Sequence, residues 1–279
     1  MNFDFFTLGG AVFWEDVFFY QRWRIQRHCL TNTYRLLDSW DIRRASGSFE
    51  ICQAAFIRYI NSYEILKQQG KMIILLHGFA DSKNIFKKLW RKFILTDSTV
   101  AALNYPSLFR NSDESAQQLL FFLNHIDNIT EVSFVTKGMG NLVLQKALNA
   151  PDAQQEYANR IRIGNIVEIN PVICGDTICD FLAQFKFFKY FNKTSLADMT
   201  EKNIKRQPNL PPNLNYLKIF SVSKLSHFFA SVLKFYNFPV SESGFHHKNA
   251  IFIKGNTFFT LENEEILNKT FNFIKNGKI

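Results

Sequence analysis

From Lys71 onward, short apolar runs alternate with amphipathic stretches, the pattern of a parallel sheet covered by helices on both faces. The runs predicted as strands are Met72–Leu76, Val100–Leu103, Val132–Val135, Ile166–Ile169, Leu217–Val222 and Ala250–Ile253. They are apolar on both faces, as strands buried on each side must be. Between them, Ile85, Phe86, Leu89, Trp90 and Phe93 form one stripe at helical spacing. Leu119, Leu120, Phe122 and Leu123 form a second, with Asn111 and Glu114 placed as a capping pair. Leu142, Val143, Ala147 and Leu148 form a third. The last helix starts at Asn263, carries Glu264 and Glu265 in its first turn and buries Leu267, Phe271 and Ile274.

Two segments stand outside the alternation. Residues 1–69 are read as a mostly helical N-terminal arm packed on the core, and residues 70–279 as the α/β domain. The stretch from about Phe181 to Pro212 is longer than a simple crossover and is where a lid insertion would sit.

A chain of 279 residues buries enough surface to fold without disulfides or metals. Cys29, Cys52, Cys174 and Cys179 form no Cys-x-x-Cys pair, so reduced thiols in a cytoplasmic setting are expected. The apolar stretch ending at Trp14 runs into Glu15 and Asp16 and is too short to span a bilayer. Lys and Arg outnumber Asp and Glu by 33 to 24, a net charge of +9 that favours acidic partners in general. No nucleic-acid-binding motif accompanies it, and no nucleic-acid partner is expected. The 31 Phe residues occur with abundant Lys, Asn and Ile, which A/T-rich codons explain as well as function does.

Two patterns carry a family resemblance. Ile73-Ile74-Leu75-Leu76-His77-Gly78-Phe79 resembles the strand and loop that supply an oxyanion-hole N–H in α/β-hydrolases. Val132-Ser133-Phe134-Val135-Thr136-Lys137-Gly138-Met139-Gly140 resembles the nucleophile elbow, strand then G-x-S-x-G then helix. One strand and one helix fit between them. Residues 70–279 are thus similar to bacterial serine esterases and lipases, whose strand after the elbow ends in a loop like Asn170-Pro171-Val172-Ile173-Cys174-Gly175-Asp176 here. The resemblance implies an α/β-hydrolase fold, an oxyanion hole from the backbone of Phe79 and Met139, and no cofactor.

The departures fall on the chemistry. The family serine is replaced by Gly138, and Lys137 precedes it. Past the last strand, Asn256 stands at the expected histidine position. The region after Leu217–Val222 offers only Glu242 as an acid before Ser243. Glycine carries no nucleophile, and an amide is no general base near neutral pH. A glycine at a positive-φ elbow relaxes the backbone while removing the chemistry.

Other residues receive plainer readings. Ser133 is a sheet residue and Ser82 a helix cap. His77 orients its loop, while His125 and Asp127 lie at the surface. His246 and His247 are adjacent, with no further ligands to make a metal site. Lys137 is read as a snorkelling lysine, with anion binding or nucleophilic action in the cleft as the competing reading. Phe13, Trp14, Val17, Phe18 and Trp23 stand among Arg22, Arg24, Arg27, Arg43 and Arg44. They are read as packing on the core, with attachment of a basic aromatic helix to an anionic membrane as the competitor.

The leading expectation is a non-catalytic pseudoenzyme of the esterase/lipase type that binds an apolar or acyl-bearing ligand, or a protein partner. The alternatives are an active carboxylic-ester hydrolase with relocated groups and a peripheral membrane protein.

Overall fold

The computed structural model describes residues 13–151, 155–172, 198–199, 209–222, 249–255 and 260–278. Most of the expected lid insertion lies outside them, as do Glu242, His246, His247, Asn256, Cys174 and Cys179.

All six expected strands of the alternating region form. They are β5 (Gly70–Leu76), β6 (Thr99–Leu103), β7 (Ile129–Lys137), β8 (Arg162–Ile169), β9 (Tyr216–Val222) and β10 (Ala250–Lys254). They make one sheet in the order β10-β9-β8-β7-β5-β6, every neighbouring pair parallel. The order reverses at β5, which lies between β6 and β7, so a crevice opens at the C-terminal ends of β5 and β7. This is the α/β-hydrolase fold.

Helices cover both faces. α3 (Ser112–His125) and α4 (Gly140–Leu148) pack one side with Leu119, Phe122, Leu142 and Val143 against Ile74, Phe134 and Ile166. α2 (Lys87–Phe93) and α5 (Glu264–Asn276) close the other with Leu89, Phe93, Leu267 and Phe273 against Ile73, Val135 and Ile219. The capping box at α3 is present, with Asn111 accepting from the Glu114 N–H and Glu114 from the Asn111 N–H. At α5 the Asn263 side chain accepts from two N–H groups of the first turn, and Gly277 ends the helix at φ 69°.

The central strands bury one charged pair. Glu168 of β8 and Lys218 of β9 are in register and both buried, and Gln145 of α4 donates to Glu168 at 3.2 Å. Burial drives the Glu168 pKa up, against the pull of the Lys218 charge and the Gln145 hydrogen bond.

The N-terminal region is not a helical arm. It is an antiparallel sheet of β1 (Trp14–Tyr20), β2 (Trp23–His28), β3 (Tyr34–Leu37) and β4 (Arg43–Gly47), followed by one helix, α1 (Phe49–Tyr63). Gln21 and Arg22 join β1 to β2 with φ values of 46° and 74°, a two-residue turn whose hand suits the strand twist. β-branched and aromatic residues then alternate inward, so Trp23, Ile25 and Leu36 pack on Phe56 of α1. The basic aromatic helix therefore does not exist: Phe18 and Trp23 are strand residues, and Arg24, Arg27 and Arg44 are held in ion pairs.

Two consecutive buried acids anchor this sheet. Side chains of adjacent strand residues point to opposite faces, so Glu15 and Asp16 serve different partners. Glu15 pairs with Arg27, directly across the ladder, and with Arg110 at 3.2 Å. Asp16 accepts from Gln26 at 2.8 Å and from the Asn104 N–H at 2.7 Å, and its own N–H donates to the Asn104 carbonyl at 2.9 Å. Gln118 of α3 donates to the Asp16 carbonyl at 2.7 Å. The N-terminal sheet thus seals the end of β6, the outer strand of the parallel sheet.

Candidate functional site

The residues that carried the family resemblance meet at the crevice. β7 ends at Lys137, Gly138 turns the chain, and α4 begins at Gly140. Gly138 has φ 51°, in the left-handed region, and its N–H donates to the Ile169 carbonyl at 2.9 Å. A Cβ built at Gly138 would have room, its nearest neighbour being Gly78 Cα at 3.8 Å. The side chain missing at Gly138 would therefore face the His77-Gly78-Phe79 loop.

Gly140 has no such freedom. A Cβ there would lie 2.5 Å from the Leu76 carbonyl oxygen and 2.9 Å from that of His77, so α4 starts against the end of β5. Met139 is buried, Phe79 is partly buried, and among the described residues neither backbone N–H has an acceptor.

His77 is buried, stacks on Tyr105 with centroids 4.1 Å apart, and orients its loop through both ring nitrogens. The Tyr105 N–H points at Nε2 (3.4 Å), which must therefore be the acceptor, so Nδ1 carries the proton it donates to the Gly78 carbonyl at 2.8 Å. Burial lowers its pKa to about 4, fixing it neutral at ordinary pH. The Tyr105 hydroxyl closes the arrangement by donating to the His77 carbonyl, and burial pushes its pKa far up.

Lys137 is neither snorkelling nor free. Its side chain is 15% exposed, and Nζ sits 2.7 Å from Asp81 Oδ2, beyond the oxyanion-type loop. Asp81 is the residue that the sequence reading missed, although it stands only three positions after Gly78. Ser107 was missed as well; its Oγ accepts the Ala80 N–H at 3.1 Å, holding Ala80 at φ 56°. Both partners of these contacts are far apart in sequence, which hides them from motif reading.

The remaining candidates take structural places. Thr136, at the first position of the elbow pattern, is fully buried with its hydroxyl unpaired. Ser133 is buried in β7 and accepts the Asn165 N–H at 3.1 Å. Ser82 does precede a 3-10 turn (Lys83–Phe86), but makes no side-chain cap bond. His125 and Asp127 are exposed. The loop after β8 is tied to the site: Asn170 accepts the Ser221 N–H at 2.7 Å, and Asn141 of α4 accepts the Val172 N–H at 3.2 Å. Among the described residues no three His, Cys, Asp or Glu side chains gather as a metal site, and no helix is long and apolar enough to cross a membrane.

No protein-family model and no curated protein sequence matches this chain. Solved structures do. A metagenomic carboxyl esterase aligns at 14% identity with a TM-score of 0.48, covering 61% of this chain and 58% of that one. Tomato methylketone synthase I, solved with 2-tridecanone, aligns at 12% identity and TM-score 0.43, covering 75% of this chain and 99% of the synthase. Esterase B from Lactobacillus rhamnosis aligns at 13% identity and TM-score 0.46, over 75% and 76% of the two chains. At such identities the likeness extends to the fold alone.

Proposed function

We propose that this chain is an esterase-type α/β-hydrolase scaffold that no longer performs the hydrolase reaction and instead binds an apolar or acyl-bearing ligand, or a protein partner. The observation that supports this reading is Gly138, held at φ 51° with open space where a nucleophile's Cβ would stand. Acyl transfer needs an oxygen or sulfur nucleophile with a base beside it. Backbone donors at Phe79 and Met139 would still polarise a carbonyl, yet an oxyanion hole without a nucleophile gives little turnover. What such donors retain is the ability to orient a carbonyl or carboxylate.

The test is hydrolysis of p-nitrophenyl butyrate by the native chain, by Gly138→Ser and by Gly138→Ser/Asn256→His. The expected result is an inactive parent and activity gained in the double variant. Robust turnover by the parent, abolished by one substitution at the crevice, overturns the reading.

One observation favours the alternative of an ester hydrolase with relocated groups: Asp81 and Lys137 flank the crevice. Their ion pair at 2.7 Å works against it, since an ammonium held by a carboxylate is a poor nucleophile. Parent activity lost in Asp81→Asn or Lys137→Met would establish this alternative.

A further inference from the structure

A cleft of about 190 Å³ opens where the β1–β2 and β3–β4 turns of the N-terminal sheet meet α2. Phe86, Val100 and Ala102 form its apolar floor, and Arg22, Arg24, Lys83 and Lys87 converge on it with Asp41 as the one carboxylate.

Arg24 is the under-served cation. Arg24 is 8% exposed, yet its guanidinium makes only two hydrogen bonds, both at 3.5 Å, to Asp16 and the Ala102 carbonyl. Arg24 Nε is buried with no hydrogen-bond partner, its nearest anion being Asp41 Oδ1 at 3.4 Å. A guanidinium has five N–H donors, and leaving buried ones unmade is costly. Lys83, with its side chain 15% exposed, leans on the same Asp41 at 2.7 Å. Arg22 lies over the Trp90 ring at 5.0 Å and reaches the cleft mouth, where Lys87 is exposed. Asp41, a half-exposed carboxylate on a loop residue at φ 62°, thus faces both the buried Arg24 and the partly buried Lys83, with Asp16 as a second, longer partner of Arg24.

The electrostatics agree with the geometry. Burial lowers the Lys83 pKa, and the Arg24 charge lowers it further. Burial pushes the Asp41 carboxyl up, yet the Arg24 and Lys83 charges hold it below its ordinary value. The Asp16 and Asp41 charges act on Lys83 in the opposite sense, and the cleft stabilises negative charge at Asp41.

We propose that this cleft binds a phosphate-bearing small molecule, the phosphate oxygens completing Arg24 and Lys83 while Arg22 and Lys87 close over them. A tetrahedral dianion suits convergent cations, and its oxygens match the guanidinium fork. Asp41 competes for the same place. The cleft does not use the elbow, so its failure would leave the proposed function untouched.

Calorimetric titration with inorganic phosphate and with phenyl phosphate, against acetate at matched ionic strength, tests this. Saturable binding of the phosphates and none of acetate is expected. Arg22→Ala and Lys87→Ala, both at exposed side chains, should weaken it about tenfold or more, the worth of one charge-assisted hydrogen bond. Asp41→Asn should tighten it, since asparagine tolerates the left-handed backbone and removes the competing charge. A purely structural cluster would not respond in that direction. Flotation with phosphatidic-acid vesicles, with and without phenyl phosphate, separates the sources: binding displaced by the soluble ester assigns a lipid headgroup to the cleft, and no flotation assigns a soluble ester. Absence of saturable phosphate binding, or binding that none of the three variants changes, overturns the proposal.

Discussion

At the elbow the backbone is specialised and the side-chain chemistry sparse; at the seam between the N-terminal sheet and β6 the relation is inverted. Gly138 holds a left-handed turn and Gly140 abuts β5, but nothing at the nucleophile position can react. At the seam, ordinary strand and loop backbone brings Asp16, Arg24, Gln26, Asn104 and Gln118 together away from solvent. The elbow is kept by close packing and backbone hydrogen bonds, and needs no side chain at Gly138 to hold it. The seam is kept by hydrogen bonds among buried polar groups centred on Asp16 and Asn104, and removing one partner strands the others, with Arg24 Nε already unpartnered.

The largest effect should therefore come from the seam. Asp16→Ala strands Arg24 and the Asn104 N–H in a buried site, which costs about 3–5 kcal/mol for a broken buried pair. Native states have only about 5–15 kcal/mol in hand, so the variant should unfold at much lower urea or fail to accumulate. A shift in the urea midpoint worth under about 1 kcal/mol would mean that the seam is solvated, and the contrast between the regions would collapse.

Behind the elbow, His77 offers a pH probe of nearly the same size. Its folded pKa of about 4 lies below the ordinary imidazole value of about 6.5, burial being the chief cause. Between those values the unfolded chain takes up a proton that the native chain refuses. Its contribution is complete above about pH 6.5 and is lost as pH falls toward 4, by about 3 kcal/mol in all. His28 is also lowered, by burial and then by Arg35, and adds loss of the same sign, whereas the raised Glu168 works against it. Both remain in His77→Gln, so urea midpoints of the two proteins from pH 7 to 4 isolate His77. The native chain should fall more steeply; parallel curves would show that His77 is not held neutral by the fold.

How far each region was legible in the sequence follows from the same contrast. The elbow is written locally: glycines at fixed spacing between an apolar run and a helical stripe, with the capping pair Asn111–Glu114 and the six strands equally local. The seam is written across 88 positions, from Asp16 to Asn104, and no periodicity links such residues. Adjacent Glu15 and Asp16, both buried, broke the alternation that marks a strand. The turn at Gln21 and Arg22 has left-handed geometry without the Asn-Gly pair that announces it, which made four strands read as a helical arm. The Lys137–Asp81 pair, 56 residues apart, was hidden for the same reason.

The finest test lies within the elbow itself, between two glycines two positions apart. At Gly140 an added methyl meets backbone oxygens of β5, which cannot swing aside as a flexible side chain would. Gly140→Ala should cost about 1–3 kcal/mol, the range of overpacked sites. At Gly138 the added atom meets nothing closer than 3.8 Å, and only the left-handed backbone is penalised. Gly138→Ser should then cost about 1 kcal/mol, the price of a side chain in that conformation. Thermal or urea unfolding of the two variants should rank them in that order. The reverse order would mean that the crevice side of Gly138 is filled and leaves no room for a larger side chain.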